Sequence, residues 1–110
     1  MEIIEKNRNG VTVFKLAGRL DSKTSPEFEN KIVDAIERGS RKIIVDFEDL
    51  DYISSAGLRV ILKSTKDLKR LEGNFVLCAM KDYVKEVFEI SGFDSFLPIV
   101  DHIEDALKKI

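Results

Sequence analysis

The chain has almost none of the side chains on which disulfide and metal sites depend. Its 110 residues include one cysteine and one histidine. The single Cys78 cannot form an internal disulfide, which points to a reducing, cytoplasmic compartment. One Cys and one His cannot build a structural zinc site. Neither a phosphate-binding loop nor a dinucleotide fingerprint is present, so we expect no metal and no cofactor.

Long apolar runs and excess positive charge are also missing. No stretch approaches the roughly 20 apolar residues that a membrane helix needs, and the N-terminus has no signal-peptide pattern. A net charge of −2 argues against a nucleic-acid partner, because nucleic-acid-binding domains are usually basic. With 44% hydrophobic residues, the sequence predicts one soluble domain, residues 1–110, which we expect to be a monomer without membrane contacts.

The apolar pattern predicts strands that alternate with helices. Asn9 and Gly10 supply the positive φ angles of a tight turn, so residues 3–16 are predicted to form a hairpin. Further strands are predicted at residues 42–47, 75–79 and 96–100. Helices are predicted from Thr24 to Gly39, from the serine pair Ser54-Ser55 to Gly73, through Val84 and Phe88 to Gly92, and from Asp101 to the end.

This β-β-α-β-α-β-α-β-α order predicts an α/β fold. We expect a mixed, mostly parallel sheet of about five strands with four packed helices. Two helix starts carry capping patterns: Thr24 precedes Pro26 and Glu27, and Asp101 precedes Glu104. The side chains of Thr24 and Asp101 are therefore predicted to cap their helices.

A serine hydrolase is a poor fit to this sequence. A nucleophilic serine needs a base, and the only histidine, His102, lies far along the chain. A hydrolase elbow also needs a glycine two residues before the serine, where Ile53 stands before Ser55. We therefore predict that the protein is not an enzyme.

Acidic residues follow the strand predicted at 42–47. Glu48, Asp49 and Asp51 could bind Mg²⁺ through oxygen atoms, but a solvated loop near a helix N-terminus is favoured. Asp46 could be the phosphoacceptor of a response-regulator receiver, another small α/β domain. Such a receiver is disfavoured, because no acidic pair ends the early strands.

The serine pair has both a structural and a functional interpretation. Either Ser54 or Ser55 can cap the helix that follows. Ala56 and Gly57 then leave the backbone N–H groups of the first turn unshielded. Such a helix N-terminus suits an anion, including a phosphate attached to a serine.

The same helix carries four basic residues at spacings of four, three and four: Arg59, Lys63, Lys66 and Arg70. This stripe is either a contact for an acidic partner or the solvated face opposite the apolar stripe, and the second interpretation is favoured.

Several motifs, in order along the whole chain, resemble the anti-sigma factor antagonists of the STAS-domain family. The signature region is Leu50-Asp-Tyr-Ile-Ser-Ser-Ala-Gly-Leu-Arg-Val-Ile-Leu62. The other matching segments are Leu16-Ala-Gly-Arg-Leu-Asp21, Val45-Asp-Phe-Glu-Asp-Leu50 and Glu86-Val-Phe-Glu-Ile-Ser-Gly-Phe93. Ser54 stands at the position of the family's signature aspartate, and Ala56 stands at that of a serine or threonine.

The resemblance implies a protein-binding switch with a STAS fold. A partner anti-sigma factor, which is also a protein kinase with a GHKL-type ATP-binding fold, is expected to phosphorylate Ser55, with Ser54 as the second candidate. A serine phosphatase is the expected further partner. Asp21 is expected to lie close to Ser55. The partner surface is expected to comprise Asp21, Ser22, Thr24, Ser54, Ser55, Ala56, Gly57, Leu58 and Arg59. The alternative is a STAS module that binds a ligand or scaffolds a complex without phosphorylation, which the substitution at Ser54 motivates.

Overall fold

Five strands and four helices follow one another in the predicted order. The computed structural model describes all residues from Met1 to Ile110. The strands are β1 (Glu2–Arg8), β2 (Val11–Leu20), β3 (Lys42–Ile53), β4 (Asn74–Cys78) and β5 (Ile99–Val100). The helices are α1 (Ser25–Glu37), α2 (Ser55–Arg70), α3 (Asp82–Ser91) and α4 (Ile103–Lys109), with a 3₁₀ turn at Phe93–Ser95. The predicted α/β fold class is confirmed.

The strands lie in the sheet in the same order as in the sequence, β1-β2-β3-β4-β5. β1 pairs with β2 antiparallel, and the other three pairings are parallel. Right-handed crossovers that advance in one direction place α1, α2 and α3 on the same face of the sheet. None of the helices combines the length and apolarity required to cross a membrane.

This topology rules out the receiver alternative. A receiver has the strand order 2-1-3-4-5, whereas here β1 is an edge strand that runs antiparallel to β2. Asp46, the nominated phosphoacceptor, is only 8% exposed. Its Oδ1 accepts a hydrogen bond from the Glu48 N–H at 2.9 Å. The carboxylate stabilises the backbone of β3.

The main core lies between the sheet and the first three helices. Two edge-to-face aromatic pairs join the layers: Phe14 on β2 with Phe28 on α1, and Phe47 on β3 with Phe88 on α3. Their ring centroids are 6.0 and 6.1 Å apart, and all four side chains are fully buried. Such pairs contribute about 0.5–1.5 kcal/mol each beyond the area they bury.

A smaller core lies on the opposite face, under α4. Val13, Ile44 and Cys78 pack there against Ala106 of α4. The first half of β2 is therefore covered on both faces, while Lys15 further along is partly exposed. Burial raises the pKa of the Cys78 thiol to about 12, so this thiol stays protonated at neutral pH.

The predicted loop at residues 48–51 is wrong, because β3 continues through Ile53. The extension pairs with β2, which itself runs on to Leu20, and two register shifts accommodate the pairing. The acidic side chains of this region pair with lysines. Lys15 contacts Glu48 at 3.1 Å and Asp49 at 3.5 Å, and Lys81 pairs with Asp51. The structure contains no group of three His, Cys, Asp or Glu side chains placed to hold a metal ion.

The C-terminal region also differs from the prediction. β5 has only two residues, because the N–H groups of Phe96 and Leu97 donate to the Phe93 carbonyl oxygen of the preceding turn and not to a strand. The N-cap of α4 is His102, not Asp101, and it makes no side-chain capping bond. The predicted capping role of Asp101 is therefore wrong. His102 thus lies one position before the first residue of α4.

Gly73 allows β4 to begin directly against β3. A Cβ atom at this position would lie 2.4 Å from the Arg41 carbonyl oxygen and 3.0 Å from a methyl group of Leu68. The same carbonyl oxygen accepts the Asn74 N–H at 2.8 Å, which starts the pairing of the two strands.

We expect Gly73→Ala to lower the free energy of unfolding by about 1–3 kcal/mol, because the new methyl group must displace backbone. Urea denaturation followed by circular dichroism measures this change. The neighbouring Asn74→Ala substitution is the control. Asn74 is exposed, so its replacement should change the free energy by less than about 0.5 kcal/mol. Equal changes in the free energy of unfolding for the two substitutions would show that the close approach at Gly73 does not contribute to stability.

Candidate functional site

The serine pair lies where β3 ends and α2 begins. Parallel strands present their carboxyl ends at this edge of the sheet, where ligands and active groups commonly gather in α/β folds. The Ser54 N–H donates to the Leu20 carbonyl oxygen at 2.9 Å. Leu20 is the last residue of β2 and pairs with Ile53 in the sheet. The backbone at the serine pair is thus joined to the start of the loop that contains Asp21.

Ser54 is the N-cap of α2, which resolves the alternative that the sequence left open. Its backbone is extended, with φ −98° and ψ 176°, and its carbonyl oxygen accepts the Leu58 N–H at 3.0 Å. Its hydroxyl oxygen accepts the Gly57 N–H at 3.4 Å. This distance is long for an N–H···O bond, which usually ends near about 3.2 Å. The side chain is therefore a cap of modest strength.

Ser55 is the first residue of α2, and its side chain is exposed. Its hydroxyl makes no hydrogen bond within the chain. The N–H groups of Ser55 and Ala56 have no carbonyl partner, as expected in the first turn of a helix. The first turn of α2 contains no acidic residue. A free hydroxyl therefore lies beside the positive end of a helix dipole, where an attached phosphate would be stabilised.

Gly57 and Leu58 hold the helix start against the sheet. A Cβ atom on Gly57 would lie 2.8 Å from Ile53 Cγ1 and 3.0 Å from the Leu20 carbonyl oxygen. Leu58 is 9% exposed and belongs to the main core. Both were expected at the partner surface, but they are buried, so their contribution is to position the exposed residues beside them.

The loop between β2 and α1 is held by Asp21. Its Oδ1 accepts the N–H groups of Lys23 at 3.0 Å and Thr24 at 3.2 Å. These backbone hydrogen bonds lower the pKa of the Asp21 carboxyl below its ordinary value, and the bond from Lys23 has the largest effect. The ionised carboxylate therefore stabilises the folded loop above about pH 4, and this contribution is lost as the pH falls through the lowered folded pKa.

Thr24 does not cap α1 with its side chain, so that prediction is wrong. Its hydroxyl instead donates to the Arg19 carbonyl oxygen at 2.8 Å and accepts the Asp21 N–H at 2.9 Å. These bonds tie the loop to the end of β2. The hydroxyl of Ser25 makes a similar contact, donating to the Asp21 carbonyl oxygen at 2.5 Å.

An open groove of about 300 Å³ brings the loop and the start of α2 together. Ser22 lies on the α1 side, and Ala56 and Arg59 lie on the α2 side. Five residues outside the predicted partner surface also line the groove, namely Ser25, Pro26, Glu29, Val60 and Lys63. No local signal identifies them, because the packing of α1 against α2 brings them there.

The basic stripe of α2 is partly neutralised. Lys63 contacts Glu29 on α1 at 3.2 Å and Asp67 at 3.3 Å, and Arg70 also pairs with Asp67. The hydrogen bond with Glu29 is the main reason that the pKa of Lys63 is raised. Arg59 and Lys66, in contrast, form no ion pair. The cross-helix pair with Glu29 was not predicted from the sequence.

A further pair flanks the loop on the sheet side. The Arg19 guanidinium lies 4.1 Å from the centre of the Tyr52 ring and 3.8 Å from the Asp21 carboxylate. These residues belong to the extensions of β2 and β3, whose pairing brings Arg19 opposite Tyr52. This surface was also missed, because both extensions were absent from the sequence prediction.

Comparison with known proteins places this site in a family context. The family model described as the STAS domain matches residues 2–106. The chain is 39% identical over 106 residues to BtrV of Bordetella bronchiseptica, which is named as a candidate anti-sigma factor antagonist. That match covers 96% of this chain and 91% of BtrV.

Two solved structures share the fold. The crystal structure of a Thermotoga maritima protein, described as a candidate anti-sigma factor antagonist, matches with a TM-score of 0.94 and 23% identity, covering 98% of this chain and 93% of that one. The Bacillus cell fate determinant SpoIIAA, in its phosphorylated form, matches with a TM-score of 0.78 and 25% identity, covering 98% of each chain. The strand order, the family match and the BtrV likeness agree, and this chain belongs to the STAS domain family.

Proposed function

We propose that this protein is an anti-sigma factor antagonist that is switched by phosphorylation of Ser55. In the unphosphorylated state it binds an anti-sigma factor that is also a protein kinase, and the sigma factor is released. The kinase then phosphorylates Ser55, which ends the complex. A serine phosphatase returns the protein to its binding state. The chain acts through binding and carries out no reaction itself.

The observation that carries this proposal is that the hydroxyl groups of the two serines differ in hydrogen bonding and exposure. Ser54 caps α2 with its hydroxyl, whereas the Ser55 hydroxyl is exposed and uncommitted. Modification of Ser55 therefore breaks no hydrogen bond of the fold. Modification of Ser54 would remove the cap of a helix that packs on the sheet, so Ser54 is the weaker candidate.

The two departures from the family signature are compatible with this role. Aspartate and serine are both strong N-cap residues, so Ser54 can cap α2 as an aspartate at this position would. Ala56 removes a hydroxyl from the second residue of α2 but leaves Ser55 uncovered. Two similar proteins also support the proposal. BtrV is named as a candidate anti-sigma factor antagonist, and the structure of SpoIIAA is that of its phosphorylated form.

Charge explains how the phosphate acts. A phosphoserine carries about −1.5 to −2 charges at pH 7. Ser55 lies beside the open groove that Ser22 and Ala56 line with small side chains, and a partner can approach closely there. The phosphate adds bulk and charge to this contact while the helix N-terminus stabilises it. We therefore expect the partner complex to weaken while the fold changes little, and backbone NMR shifts altered throughout the sheet would contradict this.

Phosphorylation is tested by incubating the protein with its cognate anti-sigma factor kinase and ATP, followed by intact-mass and peptide mass spectrometry. We expect one added phosphate on the wild type and none on Ser55→Ala. The Ser54→Ala variant is the matched control and should still accept a phosphate on Ser55.

An unmodified wild type would favour the second candidate function, a STAS module that scaffolds a complex without phosphorylation. The absence of a hydroxyl at Ala56 and of a carboxylate at Ser54 motivates that candidate. A phosphate found on Ser54 would retain the switch but reverse the roles assigned to the two serines.

The capping role of Ser54 is tested by equilibrium unfolding in urea. We expect Ser54→Ala to lower the free energy of unfolding by about 0.5–1 kcal/mol, the lower part of the usual range, because the capping bond is long. Ser54→Asp should retain the stability, since aspartate caps as well as serine. Ser55→Ala should change it by less than about 0.5 kcal/mol. A larger loss for Ser55→Ala than for Ser54→Ala would refute the assignment of the cap.

A further inference from the structure

Arg59 lies one helical turn after Ser55 on α2. Residues four apart on a helix are neighbours on its surface, with Cβ atoms about 5–6 Å apart. Both side chains are exposed, and both residues precede the part of α2 that is covered by ion pairs. An anion at the first position and a cation four residues later is also the more favourable order for such a pair.

The ion pairs of α2 leave Arg59 available. Glu29, the acidic residue that shares the groove with Arg59, is held by Lys63 at 3.2 Å. Asp67 is shared between Lys63 and Arg70. Arg59 is thus the basic residue nearest to Ser55 on the helix, and no carboxylate of the protein neutralises it.

We propose that Arg59 pairs with the phosphate on Ser55 within the same turn of α2. This inference rests on the proposed phosphorylation of Ser55 and names the group that receives the phosphate. Phosphorylation then changes the partner surface twice: it adds a negative charge, and it withdraws a positive side chain from the groove that the partner faces. In the phosphorylated protein, Arg59 therefore positions the phosphate group.

The chemistry of arginine fits this role. Its planar guanidinium presents parallel N–H donors that match two phosphate oxygens, and it stays charged at every working pH. The charged groups around this turn are already engaged: Asp21 with the Lys23 and Thr24 N–H groups and Arg19, and Glu29 with Lys63. The neutral cap at Ser54 adds no carboxylate that would repel the phosphate.

The test uses the full chain with phosphoserine placed at position 55 during translation, so that no kinase is needed. Phosphorus NMR then follows the second ionisation of the phosphate, whose pKa is about 6 in an exposed phosphoserine. We expect the phosphate pKa in the otherwise wild-type protein to lie about 0.2–0.4 unit below that in the Arg59→Gln variant.

Lys66→Gln is the matched control, because Lys66 is an exposed, unpaired cation of the same stripe but lies two further turns along α2. It removes the same charge and should leave the phosphate pKa within about 0.1 unit of the wild-type value, since surface charges at that distance are largely screened. Equal shifts for the two variants, or no shift for either, would overturn the pairing.

A second measurement follows the melting temperature. Phosphorylation should raise the melting temperature of the wild type by about 2 °C relative to its effect on Arg59→Gln. Because phosphoserine is installed directly, the two proposals can fail separately. A kinase that does not modify Ser55 would contradict the proposed function, while an unshifted phosphate pKa would contradict only the role of Arg59.

Discussion

The site depends on the close contact between the first turn of α2 and the ends of two neighbouring strands. The Ser54 N–H bonds to the carbonyl oxygen of Leu20, and Gly57 packs where any side chain would meet Leu20 and Ile53. This contact fixes the direction in which α2 leaves the sheet. Gly57 and Leu58 face the strands and the core, which leaves Ser55 exposed at the start of the helix. The loop that contains Asp21 is held in place by the same junction.

Two neighbouring residues with the same side chain have different physical roles here. Ser54 has extended backbone and provides a capping oxygen, while Ser55 has helical backbone and presents its hydroxyl to solvent. The position of the helix start therefore decides which hydroxyl makes a hydrogen bond within the fold and which remains free. A modification at the free position meets unpaired N–H groups and, one turn later, an unpaired arginine. A phosphate attached at Ser55 would therefore break no hydrogen bond of the fold.

The surface around the serine pair is assembled from segments that are distant in the sequence. Ser22 and Glu29 come from the β2–α1 region, while Ala56 and Arg59 come from α2. The ion pair between Glu29 and Lys63 joins the two helices beside the groove. As an exposed pair it contributes little stability, about 0–1 kcal/mol, but it determines which cations are neutralised and which are available. In this way a weak interaction shapes the electrostatics of the site.

The sequence alone determined the order and type of the elements, since apolar periodicity and turn residues are local signals. It also located the serine pair at a helix start, because small and capping residues mark such a start regardless of the rest of the chain. The tertiary structure decided the features that need a partner segment. β3 reaches Ile53 because β2 pairs with it, Thr24 bonds to Arg19 because the loop folds back, and Glu29 reaches the groove because α1 packs on α2. The choice of Ser54 as the cap belongs to this second group, since either serine could cap an isolated helix and only the hydrogen bond to β2 sets where α2 begins.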